Sequence, residues 1–291
     1  MGLYELFIQP FAEFGFMRRA LVACVALALG SAPMGTLLVL RRMSLMGDTM
    51  AHAVLPGAAI GFALAGFSLP AMGAGGLAAA LLVALLAGWV AQVTTQREDA
   101  SFAAFYLIAL AAGVLIVSLH GTPVDLMHVL FGSILAVDDS ALIGVAAVAS
   151  LTLLAVAALY RPLLVASVDP GFLRSVGGAE RTLHFVFLGL VVLNLVAGFQ
   201  ALGTLMAVGL MMLPATAARF WAHEVWSQAG VATLIALASA AGGLLLSYHL
   251  QLPSGPAIVL LAGAAYIVSF LAGRHDSLLA RRLALHAHRV A

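Results

Sequence analysis

Charge is what this sequence has least of. Lysine is absent, and only 9% of the 291 residues are charged, with 13 basic and 12 acidic side chains, whereas soluble domains carry about 25%. This composition excludes a sizeable soluble domain, and with it a fused catalytic domain. A net charge of +1 also leaves no extended basic surface of the kind that binds nucleic acid.

Cysteine is nearly as scarce, since Cys24 is the only one. A single cysteine excludes a disulfide framework and a cysteine metal cluster within one chain. Cys24 lies inside an apolar run, so we expect it to be a small core residue. The first residues lack the basic region of a cleaved signal peptide, and we therefore treat residues 1–291 as a single transmembrane domain.

What the chain has in excess is hydrophobic residues, which make up 64% of it. A helical crossing needs about 20 of them, so we predict an all-α, polytopic membrane protein with about nine transmembrane helices. Residues 123–135 are too few and too polar to cross, and we expect a short re-entrant or surface helix there. We expect residues 198–203 to form a tight turn or a break within one re-entrant unit. The nine predicted spans are 20–41, 43–66, 70–94, 101–118, 140–160, 183–199, 201–218, 229–249 and 255–273.

The arginine positions predict the orientation, because basic flanks of membrane helices stay in the cytoplasm. With the C-terminal tail inside, eleven of the thirteen arginines are cytoplasmic, and only Arg18 and Arg19 are not. The N-terminus is then outside. This orientation predicts an outer amphipathic segment at 1–19, a transmembrane bundle at 20–273 and a cytoplasmic tail at 274–291.

Two longer segments are cytoplasmic in this orientation, 161–182 and 214–228. In the first, Asp169 and Pro170 are typical of a helix N-cap followed by proline at the first helical position. The second combines aromatic and charged residues, which suits either docking to a partner or a plain loop at the lipid headgroups. Its residues of interest are Pro214, Arg219, Trp221, His223, Glu224 and Trp226.

Asp48 is the one carboxylate that this assignment places deep inside a span. A charged group in hydrocarbon costs about 2.5 kcal/mol or more, so an intramembrane aspartate indicates a functional site. His52 follows at i+4, on the same helix face and near the middle of the bilayer. Pro56 cannot donate a hydrogen bond to the His52 carbonyl, so we expect a kink there. The methionines on the opposite face, which we expect to pack against a neighbouring span, are Met43, Met46 and Met50.

A carboxylate and an imidazole suit zinc, manganese or iron, and not alkali ions or cuprous copper. The alternative is that Asp48 and His52 form a buried pair, hydrogen-bonded to each other, that holds the bundle together. Two residues are too few ligands for such a metal, so the others would come from a second copy across a dimer axis or from further histidines. The candidate histidines are His120, His128 and His249.

Segments spread over nearly the whole chain match the motifs of one family. They are 40–57, 167–172, 203–206, 212–215, 247–248 and 253–256. Together they resemble the membrane permease of the bacterial zinc/manganese ABC importers, the ABC-3 type. One departure is Gly171, where the family more often has an acidic residue. The chain also lacks a G-x-x-x-x-G-K-[ST] phosphate loop, so any ATP-driven work needs another subunit.

The resemblance implies a type II importer permease fold, similar to that of the cobalamin and siderophore importers. It implies a homodimer in the lipid of the bacterial inner membrane, two cytoplasmic ABC ATPase subunits and an extracytoplasmic metal-binding protein, with no permanently bound cofactor. The metal-coordinating residues of the family fall on Asp48 and His52. ATPase coupling falls on 214–228, with Asp169 and Pro170 as an adjacent contact.

We therefore expect a permease that is not an enzyme and that passes zinc, or else manganese or iron, to the cytoplasm. Two alternatives remain. A secondary metal transporter would run without an ATPase. An intramembrane metalloenzyme would use Asp48 and His52 to hold a catalytic metal, although no second acid or base lies inside a span to activate water.

Overall fold

The computed structural model describes residues 3–66, 68–120 and 137–280, and every regular element within them is an α-helix. The predicted short segment at 123–135, with His128, lies outside the described residues. In chain order the helices are α1 (Leu3–Phe7), α2 (Gln9–Glu13), α3 (Gly15–Leu40), α4 (Met46–Ala65), α5 (Leu69–Val93), α6 (Glu98–His120), α7 (Asp139–Val168), α8 (Pro170–Ser175), α9 (Glu180–Leu202), α10 (Thr204–Ala218), α11 (Val225–Leu250) and α12 (Ser254–Ala272).

Eight of these helices are long and apolar enough to cross a membrane, namely α3 to α7, α9, α11 and α12. The helix α10 is apolar as well but has only 15 residues. Each of the nine predicted spans therefore corresponds to one helix of the described residues. The prediction of an all-α, polytopic membrane protein is confirmed.

Several helix ends differ from the predicted spans. The helix α7 continues to Val168, so residues 161–168 are helical where we expected a loop; the long side chain of Arg161 lets a helix extend beyond the apolar region. The predicted turn at 198–203 is also shorter, because α9 continues to Leu202 and only Gly203, with a φ of 90°, separates it from α10. A positive φ of this kind favours glycine.

The helix α3 lies at the centre of the bundle, where it packs against α7, α9, α10 and α11. Most of its side chains are buried, and Cys24 is completely inaccessible, which confirms it as a core residue. The helices α4, α5 and α6 pack on one another and contact the rest of the bundle mainly through α9 and α10. The bundle thus has two groups of helices, α4 to α6 and the larger group around α3.

Glycines bring α4 and α5 into backbone contact. A β-carbon at Gly57 would overlap the carbonyl oxygen of Gly75, and a β-carbon at Gly75 would overlap that of Gly57. Gly61, one turn further along α4, lies against the backbone of Ala71 in the same way. Small residues at one helical spacing allow this close approach in membranes, where packing replaces the hydrophobic effect between helices.

We expect Gly57→Ala to destabilise the protein by about 2 kcal/mol, because α4 and α5 must separate to admit the methyl group. The measurement is thermal unfolding of the purified protein in detergent. Gly189→Ala is the matched control, since a β-carbon at Gly189 meets nothing within 4 Å. Equal unfolding temperatures for the two variants would contradict this account of the contact.

Candidate metal site and docking surface

Asp48 and His52 lie on one face of α4, one helical turn apart. Asp48 is the third residue of the helix and is exposed, whereas His52 is half-buried. The prediction that Asp48 lies deep inside a span is wrong, because α4 begins only at Met46. By helix geometry His52 lies about 9 Å from the start of α4, and the middle of a bilayer core would lie about 15 Å from it.

The late start of α4 follows from the turn after α3. Arg42 has a φ of 61°, in the left-handed region, and reverses the chain. The Met43 amide then donates to the Leu38 carbonyl at 2.9 Å, and the Met46 amide donates to the Met43 carbonyl at 3.2 Å. Helix formation therefore resumes only at Met46, although the apolar pattern already resumes at Met43, directly after the two arginines.

The two faces of α4 differ as expected. The predicted methionine stripe is buried in the main core, which confirms that it packs against neighbouring helices; its members are Met43, Met46 and Met50. Gly47, next to Asp48, lies against Val208 and Met212 of α10. The methionine face thus holds α4 against the bundle, and the thioethers lie away from the Asp48 and His52 face.

Tyr106 of α6 stands beside His52. The centres of the two rings are 5.3 Å apart and the ring planes are tilted by 40°. One turn further along α4, Pro56 packs against Gly113 of α6, where a β-carbon would lie 3.0 Å from the proline nitrogen. The helix continues through Pro56. No sequence pattern indicated Tyr106, because its proximity to His52 depends on how α4 and α6 pack.

One protomer does not complete a metal site in the described part of the chain, where no group of three or more His, Cys, Asp and Glu side chains could hold a metal ion. His249 lies at the far end of α11, and its Nε2 is 3.0 Å from the Leu6 carbonyl of the N-terminal segment. The side chain of His120 and all of His128 lie outside the described residues. The predicted ligands that the described residues bring together are Asp48 and His52.

At the predicted cytoplasmic end, Asp169 caps the short helix α8. The Phe172 amide donates to a carboxylate oxygen of Asp169 at 2.8 Å, and Pro170 is the first helical residue. Gly177, with a φ of 75°, follows the end of the helix. Phe172 itself is 55% exposed. The local prediction for this segment, an N-cap followed by proline and then a glycine stop, is confirmed.

The second predicted cytoplasmic segment, 214–228, comprises the end of α10, a tight link at 219–224 and the start of α11. Trp221 is anchored, since its Nε1 donates to the Ser269 hydroxyl of α12 at 2.8 Å. Trp226 is 65% exposed, and its Nε1 donates to the Glu224 carboxylate. The ring of His223 is 3.8 Å from that of His275, between the centres. Arg219 is exposed.

Pro214 does not belong to this surface. It is buried inside α10, one turn before the helix ends at Ala218. A proline inside a membrane helix is tolerated where neighbouring groups satisfy the freed backbone, and α10 ends at Ala218, where the predicted span 201–218 ends.

The comparison with known families now bears on this arrangement. A family model described as the ABC 3 transport family matches residues 13–273. The chain belongs to this family. It is a multi-pass membrane permease of a bacterial plasma membrane and not an enzyme.

Individual relatives match over nearly their whole length. The manganese import system permease protein ScaB of Streptococcus parasanguinis is 31% identical over 265 residues, which cover 91% of this chain and 93% of ScaB. The manganese transport system membrane protein MntC of Listeria innocua is 32% identical over 274 residues, which cover 94% of this chain and 96% of MntC.

A solved structure agrees with the fold. It is that of PsaBC from Streptococcus pneumoniae in complex with Fab, and the match has a TM-score of 0.82 at 27% identity. The match covers 96% of this chain and 100% of the matched chain. The predicted importer permease fold is therefore confirmed.

We expect Asp169→Ala to loosen α8 by about 1 kcal/mol, which corresponds to a roughly fivefold faster amide exchange at Phe172 and the residues after it, because the capping acceptor is lost. Hydrogen exchange of the purified protein measures this. Asp169→Asn is the control, since asparagine is as good an N-cap as aspartate. The same exchange rates in both variants would show that the cap does not hold the helix.

Proposed function

We propose that this chain is the permease of a manganese importer that a partner ATPase drives. The observation that carries the proposal is the Asp48 and His52 pair on one face of α4, in a chain similar over more than nine-tenths of its length to permeases named for manganese. Oxygen and nitrogen donors without thiolate suit manganese. Zinc, the metal first expected, finds no support in the names of these relatives.

A second copy of the chain would complete the ligand set. Manganese takes about six ligands, and two protomers facing each other would supply two Asp48 carboxylates and two His52 imidazoles. The exposure of Asp48 on the single protomer supports this, since a buried carboxylate could not reach a partner. Waters would fill the remaining positions. Such a site is suited to brief occupation during passage.

In this proposal the ion arrives from an extracytoplasmic binding protein and passes between the two protomers. ATP binding by two cytoplasmic ATPase subunits switches the dimer from an outward-open to an inward-open state. The position of Asp48 near one end of α4 then assigns the pair to the cytoplasmic half of the path. The ion would meet it shortly before release.

The ATPase would dock on α8 and on the link between α10 and α11. Exposed aromatic side chains at a water-facing surface indicate a partner, and Phe172 and Trp226 are both more than half exposed. Trp221, besides belonging to the proposed contact set, holds the link in place through its hydrogen bond to Ser269. The proposed contact set is Asp169, Pro170, Arg219, Trp221, His223, Glu224 and Trp226.

We expect Asp48→Ala and His52→Ala each to lower manganese uptake by about tenfold or more, because each removes a ligand from both halves of the site. Uptake is measured in proteoliposomes that contain the permease, its ATPase and its binding protein, with manganese, iron and zinc compared.

Ile60→Ala is the control, an exposed residue further along α4. Normal uptake in either ligand variant, with assembly intact, would remove the site assignment. Uptake without ATP would instead indicate a secondary transporter.

We expect Trp226→Ala to weaken binding of the ATPase by about tenfold or more, because a truncated interface tryptophan often costs 2 kcal/mol or more. Binding of purified ATPase to the permease in detergent measures this. Trp89→Ala, an exposed tryptophan inside the span α5, is the control. An unchanged affinity would shift the main contact to α8, where Phe172→Ala then becomes the variant to measure.

A further inference from the structure

Four polar side chains from four helix ends meet at the predicted cytoplasmic end of the bundle. Arg41 directly follows α3, Glu98 is the first residue of α6, Ser167 lies near the end of α7 and His184 lies near the start of α9. Arg41 and His184 are 143 positions apart in the sequence. The function proposed above uses none of the four.

The contacts form a continuous path. Arg41 Nε donates to the Ser167 hydroxyl at 2.9 Å, and Arg41 Nη1 is 3.4 Å from His184 Nδ1. His184 Nε2 is 3.4 Å from a carboxylate oxygen of Glu98. The guanidinium carbon lies 4.0 Å from the centre of the Phe187 ring, a cation–π contact. The path thus runs from α7 through Arg41 and α9 to α6.

The chemistry of these groups determines which atoms donate and which accept hydrogen bonds. Arginine remains protonated and can only donate hydrogen bonds, so the Nδ1 atom of His184 must accept. The neutral imidazole then carries its proton on Nε2, the atom that faces Glu98. His184 therefore accepts from the guanidinium on one side and faces the carboxylate on the other, although its Nε2 is buried without a hydrogen-bond partner in the described residues. A substitution at Arg41 would leave the imidazole without its donor.

This arrangement is buried and incompletely paired. His184 is only 4% exposed. Burial lowers the pKa of Arg41 to about 10, against the effect of the Glu98 and Glu180 carboxylates, so Arg41 stays charged at neutral pH. Arg41 Nη2 is buried without a hydrogen-bond partner in the described part of the chain. A buried donor left unpaired in one state is strongly favoured to find an acceptor in another.

Room for such a change lies next to these groups. A cavity of about 170 Å³ is lined by Arg41, Glu98 and His184, with Glu180 and Pro170 in its wall. The Glu98 and Glu180 carboxylates line the same cavity as Arg41 and are candidate acceptors for its Nη2. Contacts of 3.4 Å are near the limit for a hydrogen bond, so a movement under about 1 Å makes or breaks them. The 2.9 Å contact to Ser167 is well inside the limit.

The location of Arg41 connects two other parts of the protein. Pro170, in the cavity wall, is the first residue of α8, and Ser167 directly precedes the segment that caps α8. On the other side, only the short turn at 42–45 separates Arg41 from α4. Arg41 is therefore held between the helix proposed to contact the ATPase and the helix that carries Asp48.

We propose that Arg41 is a positioning residue that couples movement of α8 to α4 and, through His184 and Glu98, to α6. The inference rests on the proposed function, in which α8 contacts the ATPase and α4 carries the metal pair. Loss of Arg41 then separates ATP hydrolysis from transport, although neither the ATPase site nor the metal ligands change.

The test measures ATP hydrolysis and metal uptake in the same proteoliposomes, which contain the permease, its ATPase and its binding protein. Manganese, iron and zinc are each supplied. For Arg41→Gln we expect hydrolysis within about twofold of wild type and uptake per ATP lower by about tenfold. The matched control is Arg42→Gln, at the exposed neighbouring arginine, for which we expect both quantities to be unchanged.

Wild-type uptake per ATP in Arg41→Gln overturns the inference. An equal loss of hydrolysis and uptake does so too, since it indicates a purely structural residue. If Arg41→Gln does not assemble, Ser167→Ala decides, and we expect uptake per ATP to fall by about threefold when this acceptor is removed; no fall overturns the inference. Failure of the proposed function looks different, because the wild-type protein itself then moves none of the three metals, and both proposals fall together.

Discussion

A charge in an apolar bundle must lie at a helix end, face a cavity or have a partner, and this constraint determines where the polar chemistry of the protein can be. Arg19 and Asp139 meet at one end of the bundle, 3.4 Å apart. Arg41 is held at the other end by a hydroxyl, an imidazole and an aromatic ring. Asp48 lies in the first turn of its helix and is exposed on the single protomer.

With so few charges, close packing has to position the helices. The backbone contact of Gly57 with Gly75 holds α4 against α5, and Pro56 against Gly113 holds it against α6. The methionine face of α4 is buried toward the larger group of helices. Three sides of α4 are thereby fixed by apolar contacts. On the Asp48 and His52 face, α6 covers the part near His52 and Pro56, and the exposed Asp48 end remains available for an ion or a second protomer.

Local sequence patterns predicted much of this arrangement, whereas the contacts between helices far apart in the sequence could not be predicted. Hydropathy located all nine apolar helices, and the i+4 spacing put Asp48 and His52 on one face. The depth of Asp48 was wrong because the turn after Arg42 delays the start of α4 to Met46, whereas the apolar pattern resumes at Met43. The proximity of Tyr106 to His52, and of His184 to Arg41, depends on packing between helices that are far apart in sequence. Composition and spacing carry no information on such contacts.

The metal pair and the Arg41 contacts lie at the same end of the bundle, and this proximity has a physical consequence. Apolar packing tolerates small displacements, because its energy is spread over many weak contacts. Hydrogen bonds at their distance limit do not tolerate such displacements, since a shift of under about 1 Å changes whether they form. The hydrogen bonds of Arg41 at this end can therefore convert a small displacement of α8 into the making or breaking of a hydrogen bond beside α4. The glycine and methionine contacts meanwhile keep α4 in place. In a protein with 9% charged residues, the buried and incompletely paired Arg41 is suited to this role.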